Sequence, residues 1–159
     1  MANRLLLLTL ALAGLSATTL ARDVAAEAPA YCSELKRITA LAVTKEKFAS
    51  ITGKPRNGNF RDTTLELTSW RDCSLYGPAT YTCDSLPLAT AENAEAAQAS
   101  TMHDIQACLG EAWSEAGDRS SPRYVVLHHA GRPLSITLST DQTAENEHVV
   151  RLILFVRRN

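Results

Sequence analysis

Four cysteines constrain the fold of this chain more than any other feature of its sequence. They are Cys32, Cys73, Cys83 and Cys108. No two of them are separated by two residues, so the ligand spacing of a zinc ribbon is absent. An even number of cysteines in an exported chain is typical of a disulfide framework. We therefore expect two disulfide bonds rather than a metal site or a reactive thiol.

Three pairings of four cysteines are possible, and local spacing favours one of them. Cys73 and Cys83 flank a Gly-Pro-Ala turn signal at residues 77–79, between two strand-like runs. A three-residue turn would place these two cysteines opposite each other, within the separation that a disulfide requires. Cys32 would then pair with Cys108. A bond between Cys83 and Cys108 is the main alternative.

The expectation of export comes from the first residues of the chain. Arg4 precedes an apolar run over residues 5–15, and small residues at positions 19 and 21 form a cleavage site. This layout is typical of a secretory signal peptide, which we assign to residues 1–21, followed by a flexible lead over residues 22–30. We expect the protein to be periplasmic or secreted, with no stable membrane span after cleavage. A retained N-terminal anchor is the alternative.

Hydrophobic periodicity in the rest of the chain alternates between helix and strand. Residues 31–51 and 89–115 have helical spacing, and residues 55–62 resemble a polar loop. Strand patterns occur in five segments, which are residues 65–70, 80–83, 124–129, 134–140 and 148–156. The order α-β-β-α-β-β-β predicts a single α+β domain over residues 31–159. We expect a disulfide-stapled two-layer sandwich of about five antiparallel strands, with both helices on one face of the sheet.

Composition and charge exclude some classes of function. The formal net charge of −1 argues against bulk binding of nucleic acid, which needs a clear basic excess. Charge is unevenly distributed, however, because the segment from Asp72 to Asp118 holds eight acidic residues and no lysine or arginine. Two interpretations are open. The acids form an ordinary solvated face, or they attract a cationic partner.

Motifs of catalysis are absent from the sequence. It contains no nucleophile elbow, no H-E-x-x-H, no phosphate-binding loop and no dinucleotide fingerprint. We therefore predict no catalytic, cofactor-binding or metal-binding residues and no cofactor. Two alternatives are a metal-dependent hydrolase and a small-ligand binder. The first would use His128 and His148, with His103 a weaker candidate, and the second would use a pocket lined by Tyr81, Met102 and Trp113.

The last strand pattern predicts an apolar surface on the sheet. Alternation places Val150, Leu152 and Leu154 on the core side, so the intervening residues face away from the helices. Apolar patches rimmed by arginine often mark interfaces. The candidate interface consists of Tyr124, Val126, Arg151, Ile153, Phe155 and Arg157.

Together these features predict an exported, disulfide-containing binding module. Its partner would be another exported protein, on which it would act as an inhibitor, an immunity-type protein or an assembly factor. The sequence does not indicate the oligomeric state.

Overall fold

The computed structural model describes residues 28–117, 121 and 123–157. The predicted signal peptide over residues 1–21, most of the lead over residues 22–30 and Asp118 lie outside the described residues. The described chain contains two α-helices, α1 (Cys32–Ala42) and α2 (Ala91–Leu109), and a short 3₁₀ turn at Ala49–Ile51. Its strands are β1 (Thr52–Pro55), β2 (Phe60–Thr63), β3 (Trp70–Tyr76), β4 (Thr80–Ser85), β5 (Trp113–Glu115), β6 (Tyr124–His129), β7 (Leu134–Gln142) and β8 (His148–Val156).

The strands form one antiparallel sheet in the order β1-β2-β3-β4-β8-β7-β6-β5. The sheet therefore consists of two four-stranded meanders, β1–β4 and β5–β8, which join where β4 pairs with β8. Helix α2 connects the two meanders. This arrangement confirms the α+β class, the antiparallel sheet and the presence of two helices.

The prediction of about five strands was wrong, and so was the simple order of elements. Residues 52–63, expected to be mostly loop, form the hairpin of β1 and β2. Most of the side chains in these two strands are exposed or only partly buried, so the segment has no alternating apolar pattern to reveal it. The third additional strand, β5, is only three residues long and lies within the expected second helix.

Both helices end earlier than predicted. Helix α1 ends at Ala42, and the chain turns before the 3₁₀ segment that contributes buried Ile51. Helix α2 begins after Thr90, whose hydroxyl oxygen accepts a hydrogen bond from the amide of Asn93 at 3.2 Å. It ends at Gly110, which has a φ of 83° that favours glycine. Trp113 is thereby free to enter β5.

Both helices pack on the same side of the sheet, with α2 against β7 and β8 and α1 against α2 and β8. Leu35 and Ile38 of α1 and Ile105 of α2 are fully buried against this side. The sheet contributes a continuous apolar surface of Leu75, Tyr81, Leu127, Ile136, Leu138, Leu152 and Leu154. We call the opposite side of the sheet, which the helices leave uncovered, the open face.

Two disulfide bonds join elements around this core. Cys32 in α1 is bonded to Cys108 in α2, with a Cα–Cα distance of 5.6 Å. Cys73 in β3 is bonded to Cys83 in β4 across the three-residue turn at residues 77–79. This is the pairing that the sequence favoured, and the alternative bond between Cys83 and Cys108 does not form.

Candidate binding face on the open side of the sheet

The register of β8 with its neighbours determines which side chains share the open face. Ile153 is the partner of Thr82 in β4 and of Thr137 in β7, and Phe155 is the partner of Thr80 and Ser135. Both apolar side chains are partly exposed. Apolar residues therefore stand among threonines on a side where an antiparallel sheet usually presents polar residues to water.

Two neighbouring hollows lie along this part of β8, between it and the β2–β3 strands. The Asp72 hollow has a volume of about 540 Å³ and is lined by Arg56, Asn57, Phe60, Asp72, Ser74, Tyr76, Thr80, Thr82, Asp84, Arg151 and Ile153. The Arg157 hollow has a volume of about 680 Å³ and is lined by Lys47, Asn59, Tyr76, Gly77, Pro78, Ala79, Thr80, Ile153, Phe155, Val156 and Arg157. They share three residues, and together we call them the open-face groove.

An aromatic pair forms one wall of the groove. Phe60 and Tyr76 are register partners in β2 and β3, and their ring centroids lie 5.0 Å apart at an interplanar angle of 54°. The two residues are 38% and 48% exposed. Two accessible aromatic rings in contact offer a large apolar surface to a partner. Binding to them costs little side-chain entropy, since each side chain has only two rotatable bonds.

A row of alternating charges crosses the end of the groove at which Arg151 lies. Asp84 in β4 is the register partner of both Arg71 in β3 and Arg151 in β8. Arg151 binds Asp84 through two hydrogen bonds, from Nε to Oδ1 at 2.7 Å and from Nη2 to Oδ2 at 2.9 Å. Its Nη1 also lies 3.2 Å from Oδ2 of Asp141. The two hydrogen bonds to Asp84 hold the Arg151 guanidinium in place, and they also raise its pKa.

The second arginine of the row is also bound to a carboxylate. Arg71 donates a hydrogen bond to Glu147, and this bond raises the pKa of the guanidinium. Its Nε lies 3.6 Å from Oδ2 of Asp72, whose side chain is 66% exposed. Asp72 has a φ of 52° and occupies a register shift between β3 and β4. Such bulges redirect a side chain, and here Asp72 borders the groove.

Four residues of the candidate interface contribute to the accessible open face. Arg151, Ile153, Phe155 and Arg157 line the groove. Tyr124 is exposed on β6, two strands away from β8, and lines neither hollow. Val126 is 7% exposed and therefore offers little surface to a partner. The aromatic wall of Phe60 and Tyr76 and the carboxylate of Asp72 were not predicted from the sequence.

The histidines considered for a metal-dependent enzyme do not come together. His128 in β6 pairs with Ser135 and His148 in β8 pairs with Gln142, so the two histidines lie beside opposite ends of the intervening strand β7. Seven residues of β-strand separate them by roughly 24 Å. Among the described residues, no three side chains of the metal-binding types form a cluster. His103 is exposed on α2.

The residues proposed for a pocket between sheet and helices are part of the packed core. Tyr81 is fully buried, and its hydroxyl donates a hydrogen bond to the carbonyl oxygen of Leu65 at 2.9 Å. Burial raises the pKa of this hydroxyl. Trp113 is buried, with its ring 5.3 Å from that of His129, and Met102 packs against the same core. These side chains fill the interior and stabilise the fold.

Comparison with protein-family models, with curated proteins and with solved structures found no match to this chain. No helix in residues 28–117 or 123–157 combines the length and the apolar character needed to cross a membrane.

Proposed function

We propose that this chain is an exported, disulfide-stapled binding module that captures another exported protein with the open face of its sheet. The observation that carries the proposal is the open-face groove. It combines the apolar side chains of Ile153 and Phe155, the aromatic pair of Phe60 and Tyr76, and a rigid charged row that includes Arg151. Aromatic residues and arginine are enriched in protein interfaces, and exposed apolar patches mark binding sites.

The two disulfides support export to an oxidising compartment. Both bonds lie in the buried core, and every cysteine of the chain takes part in one of them. Stable disulfides of this kind are typical of secreted and periplasmic proteins and rare in the cytosol. They also keep the two helices and the β3–β4 hairpin in place, so the open face is presented as a rigid surface.

Affinity capture tests the proposal directly. The full chain with a C-terminal tag is expressed in the cells of origin, exported, and used to capture partners from cell-envelope extract. The double variant Ile153→Ser and Phe155→Ser should lose the partner that the unaltered protein captures. Val43→Ser is the matched control, because Val43 is an exposed apolar residue that lies just beyond α1 rather than on the open face.

Folding must be separated from binding, since Ile153 and Phe155 are partly buried. A second double variant, Phe60→Ser and Tyr76→Ser, alters the more exposed aromatic wall and should also reduce capture. Circular dichroism and thermal melts verify that each variant is folded. Capture that is undiminished in both folded double variants would contradict the proposal.

Mass spectrometry of the exported protein tests whether the chain is exported and its cysteines are oxidised. Cleavage after Ala21 and the absence of free thiols are expected. An intact N-terminus on protein retained in the cytosol, with four free thiols, would contradict export.

A further inference from the structure

The open-face groove has the length and shape of a site for an extended polypeptide. From Arg151 to Arg157 the chain advances by six residues, or about 20 Å at the rise of a β-strand. The Asp72 and Arg157 hollows adjoin each other along this distance, because both are lined by Tyr76, Thr80 and Ile153. A segment of about six extended residues matches this length.

Three arginines line or adjoin one end of the groove, but each of them is bound to a carboxylate. Arg56 is bound to Asp62, Arg71 to Glu147, and Arg151 to Asp84 and Asp141. These guanidinium groups are therefore neutralised by carboxylates of the chain itself.

Asp72 supplies the most accessible carboxylate at that end. Its Oδ2 also lies 3.6 Å from Nε of Arg71, so this arginine lies between two carboxylates and the group as a whole keeps a negative charge. It borders both the Asp72 hollow and an adjoining polar hollow of about 570 Å³, which also includes exposed Glu145. A cation placed there would approach a carboxylate that is 66% exposed. We call this the Asp72 end of the groove.

The other end is positively charged. Lys47 and Arg157 line the Arg157 hollow, and none of the described residues that line it is acidic. Arg157 donates a hydrogen bond from Nη2 to the carbonyl oxygen of Arg132 at 3.2 Å, which holds its guanidinium beside the turn that precedes β7. The charge of the groove thus changes sign along its length, with Ile153, Phe155 and Tyr76 between the two ends.

We propose that the occupant of the groove is an extended polypeptide segment of another protein, with a cationic side chain at the Asp72 end, apolar side chains in the middle and an anionic side chain at the Arg157 end. This inference rests on the proposed function, and it specifies the chemistry of the partner. Complementary charge contributes mainly to specificity and orientation, and apolar contact contributes most of the affinity.

Two synthetic peptides with blocked ends test the inference. Both have two central leucines separated by serine. The cationic peptide carries lysine near one end and glutamine near the other, and the anionic peptide carries glutamine and glutamate at the same positions. Binding is followed by NMR amide shifts of the full-length exported protein, which detect dissociation constants up to several millimolar. Both peptides are expected to shift the amides of Thr82 and Ile153.

Two charge-removing variants should then affect the two peptides differently. Asp72→Asn, a change that the positive φ tolerates, should weaken binding of the cationic peptide roughly two- to five-fold and leave the anionic peptide unchanged. Arg157→Gln should weaken the anionic peptide by a similar factor and leave the cationic one unchanged. Glu95→Gln on the exposed side of α2 is the matched control and should affect neither.

Two results would overturn the inference. They are the absence of shifts at Thr82 and Ile153 at several millimolar peptide, and an equal effect of each variant on both peptides. If neither peptide binds but capture of a protein still depends on Ile153 and Phe155, the inference fails while the proposed function stands. If both fail, the open face is not a binding surface for protein.

Discussion

Gln98 of α2 donates a hydrogen bond from Nε2 to the carbonyl oxygen of Leu138 in β7 at 2.8 Å, and a second to that of Arg123 at 3.2 Å. The side chain is almost fully buried among alanines and apolar residues. It attaches the helix to the sheet opposite the open face. Burial of a polar side chain on the apolar side of α2 is thus explained by the backbone oxygens that it contacts.

Replacement of Gln98 by alanine should lower the free energy of unfolding by about 1–3 kcal/mol, because hydrogen bonds are lost and a small cavity is left. Chemical denaturation with urea measures this change. Glu95→Ala, one turn away and exposed, is the control and should alter stability by less than about 0.5 kcal/mol. Equal stability of both variants would show that the Gln98 contacts do not hold the helix on the sheet.

The two disulfides should contribute unequally to stability. In the loop-entropy description, the Cys32–Cys108 bond, with a sequence separation of 76, is worth about 4.5 kcal/mol, and the Cys73–Cys83 bond, with a separation of 10, about 2.7 kcal/mol. Replacement of both cysteines of one pair by alanine removes that bond alone. Guanidinium denaturation of the two double variants should give a larger loss for the pair that joins the helices. The reverse order would contradict the loop-length argument.

The ion pair of Asp84 and Arg151 should be coupled more strongly than an exposed pair. Asp84 is only 13% exposed and makes two hydrogen bonds with the guanidinium. A double-mutant cycle with Asp84→Asn and Arg151→Gln should give a coupling energy of about 1.5 kcal/mol. The pair of Arg56 and Asp62 provides the control, since both side chains are more than 40% exposed.

The control cycle should give about 0.5 kcal/mol, as is typical of exposed pairs. Raising the salt concentration from 0.1 M to 1 M should reduce the coupling energy of the control pair more than that of the Asp84 pair, because partly buried charges are less screened. Coupling of equal size in the two cycles would indicate that the charged row does not stiffen the open face.

Much of the fold could be predicted from apolar periodicity and turn signals. The turn at residues 77–79 and the three final strands have strong local patterns. The strand expected at residues 65–70 was wrong in position, since β3 spans Trp70–Tyr76. The hairpin of β1 and β2 could not be recognised in this way, since its side chains are largely solvent-exposed and show no alternation. Tertiary context also determined β5, because Trp113 has an apolar side chain that fits a helical stripe and a buried strand equally well.

The open face was predicted only in part, for a related reason. Alternation along β8 placed Ile153 and Phe155 on one side, which needs no knowledge of neighbouring strands. Tyr76 could have been added by the same argument. Cys73 and Leu75 lie on the core side of β3, so the alternating residues Ser74 and Tyr76 lie on the opposite side. Phe60 and Asp72 could not, since one lies in the exposed hairpin and the other in a bulge that breaks the alternation.

His129 should make the stability of the protein depend on pH in the neutral to mildly acidic range. Desolvation by burial lowers the pKa of its imidazole, and the positive charge of Arg132 lowers it further. Its Nδ1 accepts a hydrogen bond from the amide of Gly131 at 3.0 Å, which requires an unprotonated nitrogen. The unfolded chain therefore binds a proton at a higher pH than the folded chain does.

The sign of the effect follows from this difference in proton binding. Above the ordinary histidine pKa of about 6.5 both states are neutral at His129 and stability is at its full value. As the pH falls below 6.5 toward the lower pKa of the folded state, the unfolded state gains protons first, and the free energy of unfolding declines.

NMR titration should give His129 a pKa below 6.5, and urea melts from pH 7.5 to 5 should show the loss of stability. His129→Gln, which keeps an acceptor near the Gly131 amide, should flatten this dependence, whereas His103→Gln on exposed α2 should leave it unchanged. A pH dependence that persists undiminished in His129→Gln would assign the loss to other groups.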